Sequence, residues 1–280
     1  MLYSEKLKDF QSAHKYESTV VDGARYRYIL CGKESGKTLV FLNGGMNTLE
    51  MWMDYVDTLG ADARVLLFDY PQELATNQAL VAGMHAFFAA LGIEKPIFVG
   101  ASDGGMVAQI YTQKYPNEVG GLVLISTGGM DERTLKKRYR LAPLMLWYLK
   151  HCNYEKLKPR LIKMSLSHIR NESAEEIACA RDMFETIFSD YKQEKDVHIS
   201  GLLADLMNQV PVTEADFAAL EGKILLILPD QDFFSGEMQQ DLIRLMHDPK
   251  IAYVSGGHLS TVLKTEDYIR TIRGFLAEMD

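Results

Sequence analysis

The sequence predicts an α/β protein: a mostly parallel central sheet, helices on both faces, and a helical insertion. Three observations carry that expectation. Short, continuous apolar runs alternate with stretches of helical spacing over most of the chain, and continuous apolarity marks strands buried on both faces. From about residue 131 to 211 the alternation stops and every apolar pattern is helical, after which it resumes. Between an apolar run and a helix stands Gly100-Ala101-Ser102-Asp103-Gly104, a Gly-x-Ser-x-Gly turn whose strand–turn–helix context exposes a serine at a sharp bend. The core domain is therefore expected over 1–130 and 212–280, with the insertion over 131–211.

In chain order, Thr19-Val20-Val21, an Asp22-Gly23 turn, then Tyr26, Tyr28 and Leu30 in alternation form a hairpin, the expected antiparallel edge. Thr38 to Leu42 is a buried strand ending in Asn43-Gly44-Gly45-Met46-Asn47, and Met51 to Leu59 follows as a helix. Arg64 to Phe68 is the next buried strand, closed by Asp69-Tyr70-Pro71; Thr76 caps a helix running to about Leu91. Pro96 to Val99 leads into the serine turn and a helix to Tyr115, and Leu122 to Ser126 is a further strand. In the insertion, Leu141, Leu144, Met145, Tyr148 and Leu149 mark one helix, and Leu157, Leu161, Met164 and Ile169 a second. A capping box at Ser173-Ala174-Glu175-Glu176 opens a third, and Leu202 to Val210 is a fourth. The remaining elements are a strand at Lys223 to Leu228, a helix near Met238 to Met246, a strand at Ile251 to Val254 and a terminal helix capped by Thr265.

Composition narrows the function. The 280 residues, 47% hydrophobic and 24% charged, suit one large soluble domain with an insertion. A net charge of −8 without a basic stripe argues against nucleic acid. Cys31, Cys152 and Cys179 are scattered and odd in number, so neither a disulfide framework nor a metal site is expected, and a reducing, cytoplasmic setting is. No run of about eighteen apolar residues is present, so no stable membrane insertion is expected. Lys136-Lys137-Arg138-Tyr139-Arg140 precedes the first insertion helix. An amphipathic membrane contact is one reading of it. A solvated helix start, followed by a helix packed over the site, suits the negative overall charge better. Met145, Met164, Met183 and Met207 suggest an adaptable apolar lining.

A serine hydroxyl attacks only when a base takes its proton. Of seven histidines, His14, His85, His151, His168, His198 and His247 lie in the N-terminal arm or in or beside predicted helices. His258 instead follows a strand directly, in Ser255-Gly256-Gly257-His258, where catalytic groups gather in open parallel sheets. A carboxylate must orient that base, and the loop after the preceding strand supplies two, Asp230 and Asp232. An oxyanion hole can form from the backbone amide of Asp103 and that of Gly45.

Together these motifs resemble the α/β-hydrolase fold superfamily with a helical cap, from about Tyr16 to the C-terminus. Gly100-Ala101-Ser102-Asp103-Gly104-Gly105 matches its elbow and Gly256-Gly257-His258 its histidine loop. Pro229-Asp230-Gln231-Asp232 is similar to its Gly-x-x-Asp segment, which favours Asp232. The resemblance implies a serine hydrolase acting on a small carboxylic ester, or on an amide or thioester, with Ser102, His258 and Asp232 as triad. It implies no cofactor. Met46 and Met145 are expected to touch a small-molecule substrate. Asn43 stands where the family usually has histidine, and Gln72-Glu73-Leu74-Ala75-Thr76 replaces a Gly-rich loop. Such a short Tyr-Pro connection is similar to that of maspardin-like binding proteins, an alternative class; carbon–carbon hydrolysis or perhydrolysis is another outcome on this triad. The Ser102-Asp103-Gly104-Gly105 elbow also resembles valacyclovir hydrolase-like members, where this acid receives the substrate's amino group. Oligomeric state is left open.

Overall fold

The computed structural model describes residues 1–167, 169 and 172–279. Eight strands form one sheet: β1 (Glu17–Val21), β2 (Ala24–Gly32), β3 (Thr38–Leu42), β4 (Arg64–Phe68), β5 (Ile97–Ala101), β6 (Gly121–Ile125), β7 (Ile224–Pro229) and β8 (Lys250–Val254). Their spatial order is β1-β2-β4-β3-β5-β6-β7-β8. β1 and β2 pair antiparallel as the edge hairpin, with Asp22 and Gly23 at positive φ in the turn, and β2 pairs antiparallel with β4. From β4 to β8 every pairing is parallel. The continuous apolar runs behave as expected: Val40, Phe41, Val99, Val123 and Leu226 are fully buried.

On one face lie α3 (Asn77–Ala90), α4 (Asp103–Lys114) and α10 (Glu237–Leu245), which bury Leu80, Phe87, Ile110 and Leu242. On the other lie α1 (Tyr3–Ala13), α2 (Met53–Gly60) and, after the single turn α11 (Ser260–Leu263), α12 (Thr265–Glu278), burying Phe10, Tyr55, Ile272 and Phe275. The Thr76 side chain caps α3 as expected, accepting from the Ala79 amide. Thr265 is the first residue of α12 rather than its cap.

Between β6 and β7 come α5 (Glu132–Arg138), α6 (Ala142–His151), α7 (Tyr154–Ser167), α8 (Ala174–Asp190) and α9 (Gln193–Asp205). Three features depart from expectation. The N-terminal arm is helical: Tyr3 and Phe10 are buried on the same face, two turns apart, and the Ser4 amide donates to Asp182 of α8. The helix expected at 202–210 begins at Gln193 and has given way to a 3₁₀ turn by Leu206. Its buried residues include His198 and follow a polar first turn, which hides the apolar period. In α6 only Leu149 is buried; Leu144, Met145 and Tyr148, with Leu141 at the N-cap, face outward. His168 lies outside the described residues.

Candidate active site

The serine turn is built by close backbone approach. Ser102 has φ +53°, a strained region for a side-chain-bearing residue. A Cβ on Gly104 would stand 2.1 Å from the Leu42 carbonyl oxygen, and one on Gly100 2.6 Å from that of Gly104. Only glycine permits the chain to turn there. The turn is tied down by Ser102 N–H to the Ile125 carbonyl (3.0 Å) and by Thr127 Oγ1 donating to the Ser102 carbonyl (2.6 Å). Asp103 opens α4, where backbone amides face out from the helix end.

His258 and Asp232 meet Ser102 from two other strand ends. His258 Nε2 lies 3.2 Å from Ser102 Oγ, and its Nδ1 lies 3.0 and 3.2 Å from the two Asp232 carboxylate oxygens. The Asp232 side chain is fully buried, while that of His258 is one-fifth exposed. Burial opposes charge on Asp232; the hydrogen bond and charge of His258 and the Phe234 amide outweigh it. The carboxyl therefore stays below the ordinary aspartate range. Phe233 packs on the imidazole with ring centroids 4.2 Å apart.

The second acid has separate work. Asp230 Oδ1 accepts the Gly256 amide (2.9 Å), and the Gln231 amide donates to the Gly256 carbonyl (3.0 Å). Gly256 has φ +125°, so Asp230 holds the left-handed turn that carries His258.

Asn43 does not face the serine. Its amide nitrogen donates to the Phe68 carbonyl (2.7 Å) and to Asn47 Oδ1 (3.2 Å), and its oxygen accepts Trp52 Nε1 (3.2 Å). Asn47 in turn accepts the Tyr70 amide and donates to the Tyr70 carbonyl. This buried clasp fixes the loop that carries Gly44 against Ser102 and Gly45 against the Asp103 side chain. Two residues that the sequence did not single out reach the same loop from the helical segment: Tyr191 OH donates to the Met46 carbonyl (3.2 Å), and Lys195 Nζ to Thr48 Oγ1 (3.0 Å). Nothing in their local pattern marks them, because the contacts span more than a hundred residues.

The short connection after Pro71 is covered by α9. His198 Nε2 donates to the Leu74 carbonyl (3.0 Å), and Asn77 donates to the Leu202 carbonyl and to Asp205. Burial lowers the His198 pKa below the ordinary histidine value. Its Nδ1 is buried without a partner among the described residues.

Ser102, His258, Gly45, Asp103 and Met46 all line a cavity of about 340 Å³, a size that suits a small molecule. Trp52, Met164, Phe184, Phe188 and Val262 give it apolar walls. Among the described residues Asp103 is the only acid on its wall, and neither Lys nor Arg lines it. Ser126, buried and at φ +48°, also borders it. Met145 does not: it is exposed on α6, and Met164 of α7 takes the place expected for it. Met183 is buried in the core and Met207 is exposed, so neither lines the cavity. Among the described residues no cluster of three or more His, Cys, Asp or Glu side chains could hold a metal ion, and no helix is long and apolar enough to cross a membrane.

This fold with a serine at the strand–helix elbow defines a class. The alpha/beta hydrolase fold model matches residues 37–194, and the chain belongs to that family. It is 24% identical to the proline iminopeptidase PfmaB of Pestalotiopsis fici, over 93% of this chain and 99% of that protein. It is 30% identical to monoacylglycerol lipase abhd6-A of Xenopus laevis, over 40% of this chain and 37% of the lipase. Among solved structures, a hydrolase from Pseudomonas aeruginosa PA01 superposes with TM-score 0.77 at 19% identity, over 95% and 99% of the two chains. The enol-lactonase from Burkholderia xenovorans LB400 does so with TM-score 0.73 at 16% identity, over 93% and 100%. Family and named relatives support hydrolase activity in general.

Proposed function

We propose that this chain is a serine hydrolase that cleaves small carboxylic esters, neutral or amine-bearing, through an acyl-enzyme. The carrying observation is the Ser102–His258–Asp232 relay, with contacts of 3.2 and 3.0 Å, opening onto an apolar cavity. Ser102 Oγ attacks the carbonyl carbon while His258 Nε2 takes its proton and then passes it to the leaving alcohol. Asp232 holds Nδ1 protonated and stabilises the imidazolium. The amides of Gly45 and Asp103 receive the oxyanion, each donor being worth about 3 kcal/mol in the transition state. Water then releases the acid by the same route. Residues 131–211 serve as the cap, contributing Met164, Phe184 and Phe188 to the cavity wall. Three free cysteines, partly buried, suit a reducing, cytoplasmic setting.

The charge of the wall supports a choice of substrate. Among the described lining residues a carboxylate-bearing substrate would meet Asp103 and neither Lys nor Arg, which argues against dicarboxylate substrates of carbon–carbon hydrolases. An ammonium group about 4 Å from Asp103 gains roughly 4 kcal/mol gross at an effective dielectric near 20. Desolvation offsets part of that, leaving about ten- to a few-hundredfold selectivity. The match along nearly the whole chain to a protein named a proline iminopeptidase suits an amine at this position. The test is kcat/KM for matched esters carrying an α-amino group, no charge, or a carboxylate. Wild type should rank them in that order, and Asp103→Asn should lose the amine preference. A wild type that favours the carboxylate ester, or an Asp103→Asn protein that keeps the amine preference, would overturn the assignment. Binding of esters without turnover would favour the maspardin-like binding class.

A further inference from the structure

The apolar stripe of α6 is turned to solvent. Leu141, Leu144, Met145, Trp147 and Tyr148 are each between 43% and 64% exposed, on one arc of the helix. The opposite side of α6 packs against α9 and buries Leu149. Scattered exposed apolar residues need no explanation, but five adjoining ones mark a contact surface. The second observation is charge. From residue 136 to 164 the sequence holds nine Lys or Arg and one acid, Glu155, in a chain of net charge −8. Lys137, Arg140 and Lys150 flank the stripe, and Lys156, Arg160 and Lys163 continue along α7; all six are exposed. Met164, which also lines the cavity, is itself more than half exposed, so the cavity reaches the surface on this same basic helix.

An apolar helix face carrying Trp and Leu, rimmed by cations, has the chemistry of an interfacial helix. We infer that the exposed face of α6, with the cations beside it, docks on an anionic lipid surface, the Leu141–Leu144–Trp147–Tyr148 side of α6 lying among the acyl chains. A second copy of the chain suits this face less well. A two-fold contact sets the same patch against itself and would bring the two basic rims together, whereas an anionic bilayer neutralises them. Docking is peripheral. It stands apart from the proposed chemistry, since none of these side chains touches Ser102, His258 or Asp232.

The chain carries its own reporter. Of its two tryptophans, Trp52 is buried in the core and Trp147 is exposed, so a change of emission on vesicles reports Trp147. The experiment mixes the full chain with phosphatidylcholine vesicles, with and without phosphatidylglycerol, reading emission and co-sedimentation. Anionic vesicles should shift the emission to the blue and sediment the protein, and added salt should weaken both. Each cation near such a surface is worth about a fivefold factor. Lys137→Gln, Arg140→Gln and Lys150→Gln together should therefore lower partitioning about a hundredfold. Leu141→Glu with Leu144→Glu should abolish it while leaving turnover of a soluble ester and the thermal midpoint unchanged. Val20→Glu, at an exposed position on the edge hairpin, should bind like wild type. No binding to anionic vesicles, equal binding to both compositions, or a dimer that the Leu141 and Leu144 substitutions dissolve in the absence of lipid would each overturn the inference.

Discussion

Replacing Asp232 with asparagine tests the relay at its buried end. Asp232 Oδ1 accepts both His258 Nδ1 (3.0 Å) and the Phe234 amide (3.1 Å), while Oδ2 lies 3.2 Å from the same imidazole nitrogen. An asparagine that keeps its oxygen at the Oδ1 position leaves an NH₂ beside Nδ1–H, donor against donor. The clash is relieved if the imidazole moves its proton to Nε2, so that Nδ1 accepts from the amide. That tautomer presents N–H to Ser102 Oγ and cannot take its proton. In either arrangement the charge that stabilises the imidazolium is gone. The loss of kcat should approach the roughly 10⁴ seen when a triad acid is lost, about 5 kcal/mol of barrier. Asp230→Asn is the matched comparison. An amide oxygen can still accept from Gly256 N–H, so kcat should fall by less than about tenfold, since no charge beside the imidazole is lost. Steady-state kinetics on one soluble ester, with circular dichroism to show that both variants fold, gives the ranking. Equal losses, or a larger loss for Asp230→Asn, would refute the reasoning.

Two further outcomes follow from the surroundings. Asn43→Ala leaves Trp52 Nε1–H without its partner and unties the loop from the Phe68 carbonyl; urea unfolding should show a loss of about 2–4 kcal/mol, with kcat falling along with stability as Gly45 loses its fixed position. His198 gives the pH prediction: with its folded pKa below the ordinary value of about 6.5, the unfolded chain protonates first, so its contribution is complete above that value and lost as pH falls through the folded pKa. Denaturation midpoints across this range should decline less steeply for His198→Gln, which can still donate to the Leu74 carbonyl, than for wild type; parallel declines would show that His198 is not the sensor.

Much of this architecture was legible because it is local. Buried parallel strands announce themselves as Thr38–Leu42 or Ile97–Ala101 does, by apolar continuity, and the elbow by glycines that no other residue could replace. His258 was legible from its place at a strand's end. Between Asp230 and Asp232 the residues alone did not decide, since both lie in one short loop; contacts separate them, one to His258 and one to Gly256. What stayed hidden depends on partners distant in sequence. The helix Tyr3–Ala13 buries only two apolar side chains, seven residues apart, too sparse a period to detect. The stripe on α6 shows the opposite limit: periodicity gives which residues share a face, but not what covers that face. The expectation that Met145 lines the site failed for that reason, while Met164, one helix later, does line it. Tyr191 and Lys195 belong to the same group, reaching the Met46–Thr48 loop only through the folding of the helical segment back onto the sheet.

The most direct test of the account is covalent labelling of the full chain by a fluorophosphonate, with the modified residue located by peptide mass spectrometry. On the proposed mechanism one hydroxyl beside the cavity is activated, so a single phosphonyl group should appear on Ser102. It should be absent from Ser102→Ala and strongly slowed in His258→Ala, and labelling should abolish ester turnover. Unchanged labelling of the Ser102→Ala protein, or a wild type that turns over esters while Ser102 stays unmodified, would contradict it.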